Sequence, residues 1–162
     1  GKVNVTVSES VWNNSEKLYI GFFGDGTLTI SDDAVVTVGT QMQNGRYDGT
    51  TYIAYGDGTT GTLNIGAAET EIAAAAGTLK TDSIKFGPNT QTGTIVFNHT
   101  GSNYTFAPDI NGNGNIRQLA GVTTLSGDNA RFSGTTTVKG GELLVSNVLG
   151  GTVKASNGGF LI

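Results

Sequence analysis

The 162-residue chain has no cysteine, two prolines and one histidine, and charged residues make up only 14% of it. The missing cysteines exclude a disulfide framework and any thiolate metal site. The one histidine, His99 in Asn98-His-Thr-Gly-Ser102, has no Gly-x-Ser-x-Gly or Gly-Asp-Ser-Gly motif to serve as a base, and reads as a surface turn residue. The nine Lys and Arg residues never cluster and the net charge is −4, which argues against nucleic acid, whose phosphates need basic groups side by side. No apolar run is long enough to cross a bilayer as a helix, and the start lacks a basic-then-apolar signal pattern. Helix signals are nearly absent. The alanine-rich stretch Ala67–Ala76 is short, lies between strand-like runs, and reads as a strand or a loop excursion.

Thr, Asn, Ser and 26 glycines fill the space, with Val and Ile recurring throughout. Low net charge with many β-branched residues is not the composition of a disordered chain. The length fits one domain with a real core. Runs that open on glycine and then alternate recur along the chain, among them Gly26-Thr-Leu-Thr-Ile, Gly61-Thr-Leu-Asn-Ile, Gly93-Thr-Ile-Val-Phe and Gly134-Thr-Thr-Thr-Val. On such a strand Leu28 and Ile30 share one face, and Leu63 with Ile65 and Ile95 with Phe97 repeat the pattern. These six are the expected core.

One phrase occurs twice, as YIGFFGDGTLTI (Tyr19–Ile30) and YIAYGDGTTGTLNI (Tyr52–Ile65). Sandwiches and closed barrels also use short strands, but they seldom repeat a phrase, whereas a solenoid stacks identical phrases rung on rung. The expected fold class is all-β, a parallel β-helix with Tyr19 stacked on Tyr52. At roughly 20–25 residues per coil the chain makes about six or seven coils. At the spacing of hydrogen-bonded strands the rod is about 30 Å long. Gly61, Gly77 and Gly93 lie 16 residues apart while the repeated phrases lie about 33 apart, so loops interrupt some coils.

Candidate chemistry fails on its own requirements. The Gly24–Thr27 and Gly56–Thr59 turns lack the tandem nonapeptide period of a calcium solenoid and read as plain turns. Asp109–Gly114 opens like an EF-hand loop, but Ala120 stands where the bidentate Glu belongs. Among carboxylates, Asp32 and Asp33 are adjacent and diverge on a strand, while Glu69 and Glu71 share a face with no basic residue close in sequence. No catalytic, metal or cofactor site is expected.

The stretch Asn111–Asn147, NGNGNIRQLAGVTTLSGDNARFSGTTTVKGGELLVSN, resembles the passenger-associated strand repeat of bacterial autotransporters (type V secretion). The match runs through Gly112, Gly114 and Ile116, then Gly121, Thr124, Leu125, Ser126, Gly127 and Asn129. It continues with Phe132, Ser133, Gly134, Thr135, Thr137 and Val138, and closes on Gly140, Gly141, Leu143 and Val145. The N-terminal IGFFGDGTLTISDDAVVTVG is similar to the looser AIDA-type passenger repeats. The resemblance implies a right-handed β-helix with a C-terminal capping region. It divides the chain into passenger coils (1–108) and an autochaperone-like stable core with cap (109–162). In that reading the segment is non-enzymatic. It templates the upstream passenger on the extracellular side of the outer membrane and aids its secretion. Ile116, Leu125, Phe132, Val138, Leu143 and Val145 form its folding core.

The implied partners are the protein's own upstream passenger and a C-terminal β-barrel, with a host protein as a further one; neither nucleic acid nor a small-molecule substrate is expected. The apolar ending Gly159–Ile162 reads as a strand, and the chain as a piece of a longer virulence-associated surface protein that stays on the cell or is released from it. The alternative is an adhesin or host-protein-binding segment of the same rod, using exposed aromatics such as Trp12, Phe22, Phe23 and Tyr55, or the loop Gln41–Gly49.

Overall fold

The computed structural model describes residues 1–88, 92–156 and 158–162; among them there are twenty short strands and no helix. The strands fall into seven successive coils. The first holds β1 (Lys2–Val5), β2 (Val11–Asn14) and β3 (Lys17–Ile20). The second holds β4 (Gly26–Ile30), β5 (Val35–Val38) and β6 (Thr50–Ile53), and the third β7 (Gly61–Gly66), β8 (Thr78–Lys80) and β9 (Ser83–Phe86). The fourth holds β10 (Gly93–Asn98), β11 (Tyr104–Phe106) and β12 (Asp109–Asn111), and the fifth β13 (Asn115–Ala120), β14 (Val122–Leu125) and β15 (Asp128–Asn129). The sixth is β16 (Thr135–Val138), β17 (Gly141–Val145) and β18 (Val148–Leu149), and the seventh β19 (Thr152–Ala155) and β20 (Gly159–Leu161).

Corresponding strands of successive coils pair in parallel, which makes the molecule a parallel β-helix. The first strands of all seven coils form one continuous sheet, β1-β4-β7-β10-β13-β16-β19, which runs unbroken past residue 108. The second strands form β2-β5-β8 and then β11-β14-β17-β20; the third form β3-β6-β9-β12 and then β15-β18. Alternation fixes what faces inward. In the first sheet Val3, Leu28, Leu63, Ile95, Ile116, Thr136 and Val153 stack in one column, and Val5, Ile30, Ile65, Phe97, Gln118, Val138 and Ala155 in the next. All six residues expected in the core are buried there.

A glycine column turns the corner into this sheet at Gly26, Gly61, Gly93, Gly114, Gly134 and Gly151. The reason is close approach: a methyl group at Gly134 would overlap the carbonyl oxygen of Gly114 one coil below. The repeated phrase stacks as expected at Tyr19 on Tyr52 and Gly26 on Gly61, so the literal Gly-Asp-Gly-Thr does not. Gly26-Thr27 already opens the strand, whereas Gly56–Thr59 still lies in a longer turn.

Coil length departs from the roughly 20–25 residues anticipated, in the irregular way that interrupting loops imply. Along the first sheet the coil is 35 residues from Thr27 to Thr62 and 32 from Thr62 to Thr94. It is 21 from Thr94 to Asn115, 20 from Asn115 to Thr135 and 17 from Thr135 to Thr152. Two excursions lengthen the early coils. One is a hairpin near Gln41–Tyr47 closed by an antiparallel bridge; the other is Ala67–Ala76, which is a loop held at Ala74 and Ala76 by isolated bridges.

Candidate functional site

Five of the six expected folding-core residues, Ile116, Leu125, Phe132, Val138 and Leu143, are buried in one cluster continuous with the upstream core. Val145 is half-buried instead. It stacks on Leu125 and so points inward, but it lies near the last coil, where less chain covers it. Phe132 reaches Phe86 of the third coil, with ring centroids 6.1 Å apart, although a whole coil separates their strands. The residue between them in the column is Gly112, bridged to Phe132 and held at φ +93°, a conformation that suits glycine. Without a side chain there, the two rings meet.

The core of these later coils is more polar than the sequence pattern implied. Gln118 and Thr136 occupy inward positions and are fully buried. A β-bulge in β13 shifts the register after Gln118, and its carboxamide donates to the carbonyls of Ala120 (2.8 Å) and Gly121 (3.1 Å). Asn129 spans the break in the third face: its Oδ1 accepts the buried N–H of Ile110 at 2.8 Å, while Nδ2 donates to Gly127. Thr136 Oγ1 has no partner among the described residues.

His99 corrects the expectation of a surface turn, because it is completely buried. Gly101 N–H donates to Nδ1 (3.1 Å), so the other ring nitrogen carries the proton and donates to Thr123 Oγ1 at 2.8 Å. Burial lowers its pKa below the ordinary value, which keeps the ring neutral. It stands beside Tyr104, whose hydroxyl donates to Gly77 across the break in the second face and whose pKa burial raises. These polar groups were missed because each occupies a position that alternation alone assigns to an apolar side chain or to solvent.

The candidate carboxylates are placed in ties. Glu69 pairs with Arg117 and, at 3.1 Å, with Lys139; no basic neighbour was visible in sequence because these lie 48 and 70 residues away. Partial burial alone would raise the Glu69 pKa, but the two cations hold it below its usual range. Glu71 accepts the N–H of Ala68 at 3.3 Å. Asp32 and Asp33 sit in a left-handed turn, with φ +53° and +63°. Asp109, first of the EF-like stretch, accepts from Asp128 N–H and from Arg46, which also binds Asp82 at 2.8 Å. Among the described residues no group of three or more His, Asp or Glu is arranged to hold a metal ion.

Aromatic side chains make the other notable surface. Tyr19 and Tyr52 are parallel, 4.9 Å apart and 11° from coplanar. Tyr55 meets both edge-on, Phe22 tilts onto Tyr19, and Phe23, 94% exposed, meets Phe22 edge-on. Trp12 is not exposed with them: it is half-buried on β2, packed against the core.

No family model matches the chain, and no solved structure matches it. It is similar to an uncharacterized lipoprotein, YdeK, of Escherichia coli strain K12, with 33% identity over 136 residues. The alignment takes in 80% of this chain but spans only 10% of that protein.

Proposed function

We propose that this chain is a non-enzymatic segment of an autotransporter-type passenger, and that residues 109–162 act as an autochaperone templating the coils upstream. The observation that carries the reading is the change of coil length within one continuous sheet, from 35 residues between Thr27 and Thr62 to 17 between Thr135 and Thr152. Closing a loop of twice the length costs about 0.6 kcal/mol more, and contacts local in sequence form faster. Short coils are therefore the favoured nucleus. Once formed, their open strand edge recruits the next coil, since a solenoid's stability is a sum of nearest-neighbour terms. The lipoprotein relative supports a cell-envelope location, and the autotransporter resemblance supports the outer face of the outer membrane or release from it. The partners in this reading are the upstream passenger and a β-barrel, with neither cofactor nor small-molecule substrate.

The test is made in the full-length protein. Phe132→Ala or Leu143→Ala should lower the folded, protease-resistant passenger at the cell surface more than Leu28→Ala does. Equal display of well-folded passenger by both sets would reduce the segment to a rod.

A second reading, an adhesive or host-protein-binding segment, is favoured by the exposed cluster of Tyr19, Phe22, Phe23 and Tyr55, packed on the half-buried Tyr52. Contiguous exposed apolar surface marks interaction sites. Phe23→Ser should then reduce attachment of displaying cells to host cells while leaving the melting temperature unchanged. Undiminished attachment would remove this reading.

A further inference from the structure

Both long excursions of the early coils are tied forward, onto coils that come later in the chain. Glu69, in the third coil, is held by Arg117 of the fifth and Lys139 just after β16 of the sixth. Beneath it, the buried Asn98 of the fourth coil donates to the carbonyls of Ala68 (2.8 Å) and Glu71 (2.9 Å), and Ala67 N–H donates to Asn98 O at 2.9 Å. The second coil's hairpin does the same with opposite charge. Arg46 reaches Asp82, at the start of the third face of its own stack, and Asp109 of the fourth coil. The root of the Ala67–Ala76 loop bonds backward as well, through Asp32 and Asp33 N–H to Ala75 and Ala76. Apart from the local bond between Glu71 and Ala68 N–H, the side-chain ties described at its tip run forward.

We infer that Glu69 with Asn98, and Arg46, are positioning residues for the order of assembly: clasps that lock an early coil only after the later coils that hold their partners have formed. The inference rests on the templating reading above and supplies its direction. An excursion lengthens its coil and leaves it costly to close alone. Its fixing partners become available only from the C-terminal side, so each early coil is completed by a surface already built. Individually such exposed pairs are weak, and they are screened by salt. Their effect is therefore on sequence of events rather than on total stability.

The experiment is refolding of the 162-residue chain with pulsed hydrogen exchange, comparing wild type with Glu69→Gln, Arg46→Gln and Asn98→Ala. In the wild type, amides of β13–β17 should gain protection before those of β4–β9. In Glu69→Gln, protection of β7–β9 should be delayed or lowered by about two- to tenfold, as for loss of a weak exposed pair, and in Asn98→Ala, which removes two hydrogen bonds of a buried amide, by about tenfold or more, with β13–β17 unchanged. For Arg46→Gln the delay should fall on β4–β6. Raising the salt to about 1 M, where the screening length is about 3 Å, should mimic the two charge variants but not Asn98→Ala. If the wild type protects its C-terminal coils first and all three variants keep wild-type timing, the clasps are wrong and templating stands. If the wild type protects β4–β9 first, templating itself falls, and the clasps with it.

Discussion

Coils two and three and coils five and six share one sheet, yet they are built differently. The early pair has an aliphatic column, Leu28, Ile30, Leu63 and Ile65, long turns, a tyrosine stack on its surface and Phe86 in the core. The later pair has short turns, Phe132 inside, and polar side chains, Gln118 and Thr136, in that same column; buried polar groups occur in the early pair too, at Thr51 and Asn64, but outside it. The difference teaches that the same ladder can be stabilised in two ways. Long coils rely on apolar area and on ties made elsewhere. Short coils have less room, so side-chain amides replace missing backbone partners at their corners, as Asn129 does for Ile110.

The largest expected effect comes from the later core. Phe132→Ala should lower stability by about 3–5 kcal/mol, and Leu28→Ala by about 2–5. Native-state hydrogen exchange separates them. Phe132→Ala should expose amides on both sides of its coil, whereas Leu28→Ala should leave β13–β17 protected. Equal spread from both sites would erase the distinction between the regions.

Next is Asn129→Ala, which leaves the buried Ile110 N–H without an acceptor and should cost about 1–3 kcal/mol in chemical denaturation. A cost near zero would mean that water takes over the bond and that the amide is not what closes the short coil. Thr136→Val reverses the sign. It removes a buried hydroxyl with no partner among the described residues at nearly constant shape, and should raise stability by up to about 1 kcal/mol.

His99 marks the border between the regions and gives it a pH dependence. Its folded pKa lies below the ordinary 6.5 because burial disfavours the imidazolium. The unfolded chain therefore binds the proton more readily, so this contribution is complete above 6.5 and is lost progressively as pH falls below it. Melting temperatures between about pH 7 and 5 should decline for this reason, and the decline should flatten in His99→Gln. The smallest equilibrium effect belongs to Glu69. Its depressed pKa places its contribution above the ordinary 4.5, lost as pH falls through the lower folded value, and Glu69→Gln should change stability by at most about 1 kcal/mol. A much larger loss would make the excursion a principal support of the early coils.

Much of the fold was legible. The Gly-Thr-apolar-x-apolar runs named the strands, their inward faces and the stacked tyrosines, because alternation and a repeated phrase act over a few residues. Five of the six residues that the resemblance placed in the later core are buried; Val145 is half-buried, since burial also depends on what lies above it. His99 was misplaced for a related reason: a residue just beyond β10, bracketed by Asn98 and Gly101, looks like a turn until Thr123 of the next coil closes over it.

The sequence by itself determined that this chain is β-structure stacked in coils, where its glycine corners fall, and which side chains point inward, because all of these are properties of a strand and its adjoining turn. Only the tertiary structure decided the coil lengths, the burial of His99 and Gln118, the Phe86–Phe132 contact across Gly112, and the capture of Glu69 and Arg46. Each depends on which residue lies one or more coils away. That distance varies from 17 to 35 residues per coil with the size of an excursion, and no local periodicity encodes it.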